Sequence, residues 1–164
     1  MKIYDMLKED HKVVKALLKK LEDTTERSKK ERPELLEKLK LALIPHARAE
    51  EKIFYEPLKD SDVKEADDLA FEGYEEHGVA DRLIAELDKT KPNDKRWGAL
   101  MSVLKENLEH HIKEEENEMF KKSKKSFSSK VEEQMGELFV ALKEKYTADF
   151  EAGKKLKQPV SHSL

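Results

Sequence analysis

Two stretches of this chain place an imidazole and a carboxylate one helical turn apart: His46-x-x-x-Glu50 and His111-x-x-x-Glu115. Residues i and i+4 of a helix share a face, and His111 and Glu115 fall on the face that also carries Leu104 and Leu108. The spacing therefore points both groups into a core. A buried carboxylate is too costly to stand alone, so it is paired, neutralised or bound to metal. Two further histidines, His11 and His77, occupy places in other apolar stripes. Four inward imidazoles and two inward carboxylates exceed what one tetrahedral zinc ion can use. Two ions of octahedral habit, bridged by Glu50 and Glu115, would employ all six and leave positions open. Nitrogen with carboxylate suits iron or manganese, and open positions suit oxygen chemistry.

The elements that must carry these residues are amphipathic helices. Leu7, His11, Val14, Leu18 and Leu21 predict a first helix over about 4–24. Pro33 suits the first turn of a second helix, 33–58, with Leu36, Leu39, Leu43, His46, Glu50, Ile53 and Phe54 inward; Pro45 inside it predicts a bend. Asp62 and Glu65 have capping-box spacing for a third helix ending near Asp88, in which small residues around His77 leave room for something other than side chains. Asp94 suits the N-cap of a fourth helix, 95–122, with Trp97, Met101, Leu104, Leu108, His111, Glu115 and Met119 inward. A polar connector, 121–129, leads to a Ser129/Glu132 capping box and a fifth helix, about 130–151, which offers no inward His and Glu pair and reads as a cover or an oligomer contact. The expected fold is all-α, an antiparallel up-down-up-down four-helix bundle with an additional C-terminal helix. We expect one domain over 1–152, with its metal-binding core at 4–122, and a flexible tail over 153–164 that contains His162.

Composition narrows the function classes. Charged residues make up 42% of the chain against 37% hydrophobic, with few glycines and prolines, which favours helices over strands and turns. The net charge of -3 is spread in interspersed acids and bases, leaving no basic stripe for nucleic acid. The absence of cysteine excludes disulfides, thiolate ligands and Cys-held iron–sulfur clusters. No run approaches the ~18 apolar residues of a membrane span, and no signal-peptide pattern follows Met1, so a cytoplasmic location is expected.

The two halves of the sequence repeat each other. Asp10-His11 is followed thirty-five residues on by His46-x-x-x-Glu50-Glu51, and Glu76-His77 thirty-four residues on by His111-x-x-x-Glu115-Glu116. Each half is a helical hairpin; in the first, both histidines lie ~20 Å from the shared loop at ~1.5 Å per residue, so they face each other, and the second half matches less closely. The order H, HxxxE, H, HxxxE, with Phe54 and Phe120 following the glutamate pairs, resembles the hemerythrin-like HHE cation-binding family over residues 4–122. The resemblance implies a non-haem di-iron centre in a four-helix bundle: two Fe ions, oxo- or hydroxo-bridged, with Mn or Zn as alternatives. True oxygen carriers of this family add a histidine one turn before the third, where this chain has Gly73, and end in H-x-x-x-x-D. Neither feature is here, which argues against reversible oxygen carriage. The chain more closely resembles short single-domain members linked to peroxide or nitric oxide defence.

The expected function is reaction with hydrogen peroxide, O2 or NO, with catalase- or peroxidase-like turnover in first place. Alternatives are O2, NO or iron binding or sensing without turnover, and repair of iron–sulfur centres. Either a monomer or a homodimer is compatible with the sequence. Among neighbouring residues, His110 falls off the apolar stripe, Glu51 and Glu116 read as a solvated face that could at best orient a ligand, and Tyr55 reads as packing at the bundle end. Tyr55 would reach the site, as a hydrogen-bond donor or phenolate ligand, only if the second helix is redirected at Pro45.

Overall fold

The computed structural model describes residues 1–159; the expected flexible tail reaches into residues 160–164, which with His162 lie outside the described residues. Among the described residues the chain forms five helical rods and no strand. The first rod is α1 (Ile3–Glu22). The second is α2 (Glu31–Glu50), a π-helical turn (Glu51–Tyr55) and α3 (Glu56–Lys59). The third is α4 (Ala66–Lys89). The fourth is α5 (Lys95–Glu114), a second π-helical turn (Glu115–Met119) and α6 (Phe120–Ser126). The fifth is α7 (Ser129–Glu151). The first four rods close an antiparallel bundle, and α7 lies across α1 and α2.

Two apolar clusters fill the bundle. Val14, Leu18, Leu36, Leu39, Ile84, Trp97 and Leu104 belong to the cluster towards the α1–α2 and α4–α5 loops. Leu7, Phe54, Tyr55, Ala70, Met119, Phe120 and Phe139 belong to the cluster at the opposite end. Each of the four histidines interrupts its rod between residues of the two clusters, so the polar groups form a layer with apolar material on both sides. Desolvation by such flanks strengthens every electrostatic contact inside the layer.

Local chemistry departs from the sequence reading at several rod ends. Asp94 caps α5 as expected, its Oδ1 accepting from Arg96 N at 2.8 Å. The Asp62/Glu65 capping box does not form, because Glu65 itself turns left-handed at φ 68° and α4 begins only after it. The cap of α7 is Ser128 rather than Ser129, its Oγ accepting from Val131 N. The polar stretch after Lys121 stays helical to Ser126, since buried Ser123 accepts a hydrogen bond from Tyr4 at 2.8 Å and holds α6 on α1. Helix α2 runs through Pro45, and the departure from α geometry comes later, at the π turn. The segment after Gly153, expected to fray, runs back over the bundle as far as Gln158, whose amide donates to Glu51 and to the Tyr74 carbonyl.

Candidate metal centre

The bundle gathers His11 from α1, His46 and Glu50 from α2, His77 from α4, His111 from α5 and Glu115 from the second π turn. All six are buried, and both glutamates are 0% exposed. The rings pair by half: His11 with His46 at 5.3 Å between centroids, His77 with His111 at 4.9 Å. Each glutamate spans both pairs. Glu50 sets Oε2 3.5 Å from His46 Nε2 and Oε1 3.2 Å from His77 Nε2. Glu115 sets Oε1 3.1 Å from His11 Nε2 and Oε2 3.4 Å from His111 Nε2. Metal–ligand bonds of about 2.0–2.2 Å put neighbouring ligands roughly 3 Å apart, so these separations suit ions lying between the groups. Both Glu50 oxygens and Glu115 Oε1 are buried without a hydrogen-bond partner, the state in which an acceptor-only group calls for a cation. Two overlapping donor groups, His11, His46 and Glu50, and Glu50, His77 and His111, each lie within 4.8 Å. The residues present therefore fit bound metal.

Behind each ring stands a carboxylate from the preceding rod. His46 Nδ1–H donates to Asp10 at 2.9 Å, His77 to Glu51 at 2.8 Å, His111 to Glu76 at 2.9 Å and His11 to Glu116 at 2.7 Å. The four bonds close a circuit: the first rod orients the second, the second the third, the third the fourth, and the fourth the first. With Nδ1 engaged outward, each Nε2 is aimed at the shared interior, the arrangement that fixes tautomer and ring direction in metal-ligating histidines. Glu51 and Glu116 are therefore not a solvated face. Glu51 is 0% exposed and also takes Arg48, Nη2 at 3.2 Å. The adjacency of Asp10 to His11 and of Glu76 to His77 was a visible signal, but the histidine each serves belongs to another rod. His110 stays outside, exposed and 3.1 Å from Glu114.

Tyr55 is the largest departure from the sequence reading. Its hydroxyl lies 2.9 Å from His111 Nε2 and 3.3 Å from His77 Nε2, and it donates a short hydrogen bond to Glu115 Oε2. The π turn puts it there. An i→i+5 bond from Glu56 N to Glu51 O inserts one residue into the turn and rotates position 55 from the flank to the interior. The second half also makes a π turn, Phe120 N to Glu115 O, one residue earlier in the repeat and with no proline before it, so Pro45 is not the cause. The space beside His77 is filled by the phenol ring: a Cβ on Gly73 would meet Tyr55 Cε2 and Cζ at 2.8 Å.

The charges are mutually supporting. Burial alone would lower the His46 and His111 pKa values, but the charge of Glu50 and the hydrogen bond to Asp10 lift His46 to about 10, and the bonds to Glu115 and Glu76 lift His111 to about 10. Burial would raise Glu115, and the His11 and His111 rings beside it instead hold it well below the usual carboxylate range. Burial, then the charges of Glu115 and Glu50, push the Tyr55 hydroxyl well above its ordinary value, so it is a proton donor in this environment.

Residues 2–123 match the hemerythrin HHE cation binding domain. The chain belongs to this family. No curated protein matches it. Its fold is similar to the crystal structure of a hemerythrin HHE cation binding domain-containing protein from Mycobacterium kansasii, at TM-score 0.79 and 26% identity over 96% of this chain and 95% of that one. The hemerythrin-like bundle, the extra C-terminal helix and His/Glu clusters able to hold metal thus agree with the family. Among the described residues, no helix is long and apolar enough to cross a membrane.

Proposed function

We propose that this hemerythrin-like protein holds two iron ions and disproportionates hydrogen peroxide, one molecule being reduced to two waters while another is oxidised to O2. The observation that carries this reading is the disposition of Glu50 and Glu115, each offering one oxygen to a histidine of either pair. His11 and His46 would hold one ion and His77 and His111 the other, with both glutamates shared. When bound, a pair of redox ions supplies the two electrons that each half of the reaction exchanges. The protein's own groups do the rest. The apolar clusters on both sides exclude bulk water and admit small neutral molecules. The carboxylate behind each ring keeps Nε2 directed inward. Tyr55 holds a proton beside Glu115 and the His77/His111 pair, where it can be given to a departing oxygen or where the phenol can serve as a further ligand.

Oxygen release from peroxide by protein loaded with iron, measured beside free iron at equal concentration, tests the activity. Elemental analysis and an ultraviolet–visible spectrum test the centre itself. Two ions per chain with release well above free iron is the expected result. Loading without release would leave a binding role for O2, NO or iron, and protein that takes up no metal would overturn the reading.

A further inference from the structure

The family match ends at residue 123, yet the chain beyond it touches the outer layer of the centre in two places. From α7, Lys143 Nζ donates to both oxygens of Asp10 at 2.7 and 3.0 Å, and Asp10 in turn holds His46. On the same helix the Phe139 ring stands edge-on to His46 at 5.6 Å. From the C-terminal segment, Gln158 Nε2 donates at 2.8 Å to Glu51 Oε2, the oxygen that receives His77 Nδ1–H. Its second bond, 2.8 Å, goes to the Tyr74 carbonyl, so the amide nitrogen serves two acceptors.

We infer that Lys143 and Gln158 are positioning residues of the metal centre, each fixing the carboxylate that orients one histidine. The division is the informative part. Lys143 acts through Asp10 on His46, a member of the His11/His46 pair; Gln158 acts through Glu51 on His77, a member of the other pair. The segment 139–158 thus steadies one ring in each half of the site, while His11 and His111 rely on Glu116 and Glu76 from the bundle itself. The two clamps differ in chemistry. Asp10 is partly accessible and takes a cation. Glu51 is fully buried beside Arg48, and a neutral amide adds a donor there without adding a second charge.

The inference rests on the proposed two-ion reading, and the test keeps the two apart. Full-length Gln158→Leu, Lys143→Met and the conservative Lys143→Arg are made beside wild type, and circular dichroism of the apoproteins follows folding. In the iron-loaded proteins, transfer of iron to a strong chelator should quicken about tenfold in Gln158→Leu and in Lys143→Met, the low end of the effect of losing an outer-layer partner, and return to the wild-type rate in Lys143→Arg. In the apoproteins, hydrogen exchange of the ring Nδ1–H protons, read by nitrogen-15 NMR, should speed up at His77 alone in Gln158→Leu and at His46 alone in Lys143→Met. Exchange and release like wild type would overturn the inference, as would equal loosening of all four rings, the mark of a merely structural role. If wild type takes up no iron, the two-ion reading falls, while the ring-exchange comparison still decides whether these residues position His46 and His77.

Discussion

The two halves of the bundle carry one pattern on one backbone plan and finish it with different chemistry. Five residues after Glu50, Tyr55 closes the first π turn; five residues after Glu115, Phe120 follows the second, which begins one residue earlier in the repeat. Tyr55 enters the ligand layer, whereas Phe120 packs on Tyr4 and Phe54 with centroids 4.9 and 5.9 Å away. The opposing residue differs in step. One turn before His11 stands buried Leu7, and one turn before His77 stands Gly73, whose absent side chain is the room the phenol occupies. A symmetric ligand set thereby becomes an asymmetric site, with a proton-bearing hydroxyl on the His77/His111 side.

The strongest way to break the comparison is to remove a shared glutamate. If Glu50 bridges both halves, Glu50→Ala should abolish loading of both ions, while His11→Ala should leave about one ion per chain, because His77, His111 and both glutamates remain in place. Elemental analysis reads both; retention of one ion in Glu50→Ala would show that the halves bind independently.

Next comes the asymmetry itself. Tyr55→Phe should cut peroxide turnover by about 100-fold, the low end of what a positioned proton donor contributes, and change the visible spectrum of the iron-loaded protein. Phe120→Tyr should leave both unchanged, because that ring packs on Tyr4 and Phe54, away from the histidines. Equal effects from the two variants would erase the distinction.

Packing differences should follow in stability. Leu7→Ala opens a cavity and should cost about 2–5 kcal/mol. Gly73→Ala is an overpacking error, with the new Cβ 2.8 Å from Tyr55 and 2.9 Å from Met119 Cε, and should cost about 1–3 kcal/mol. Denaturant midpoints measure both, and adding Tyr55→Leu should rescue Gly73→Ala but not Leu7→Ala.

The smallest effect concerns pH in the apoprotein. His46 and His111, raised from 6.5 to about 10 on folding, bind their protons more tightly in the native state. Their contribution is complete below about pH 6.5 and declines as pH rises towards 10. Asp10, Glu51, Glu115 and Glu116 are lowered on folding, so theirs is present above the ordinary carboxylate range and declines as pH falls. Thermal melts should therefore peak between about pH 5 and 6.5, with His11 and His77, also raised on folding, adding to the alkaline limb. Metal in place of those protons should flatten that limb.

What the sequence determined by itself is what helical periodicity can carry. Positions i and i+4 put His46 with Glu50 and His111 with Glu115 on inward faces, and the apolar neighbours of His11 and His77 did the same for them. The bundle, its extra helix and the gathering of six donors follow from that pattern. What only the tertiary structure decided lies where periodicity fails or where partners come from different rods. Tyr55 stood on the wrong face until one inserted residue in a π turn rotated it inward. Glu51 and Glu116 looked like solvent-facing acids, and Asp10 and Glu76 stood only beside His11 and His77, because each of the four serves a histidine of the next rod, and no spacing along one helix encodes that. Lys143 and Gln158 were hidden for the same physical reason: a hydrogen bond depends on distance in space, and the chain between Asp10 and Lys143, or Glu51 and Gln158, fixes that distance only after folding.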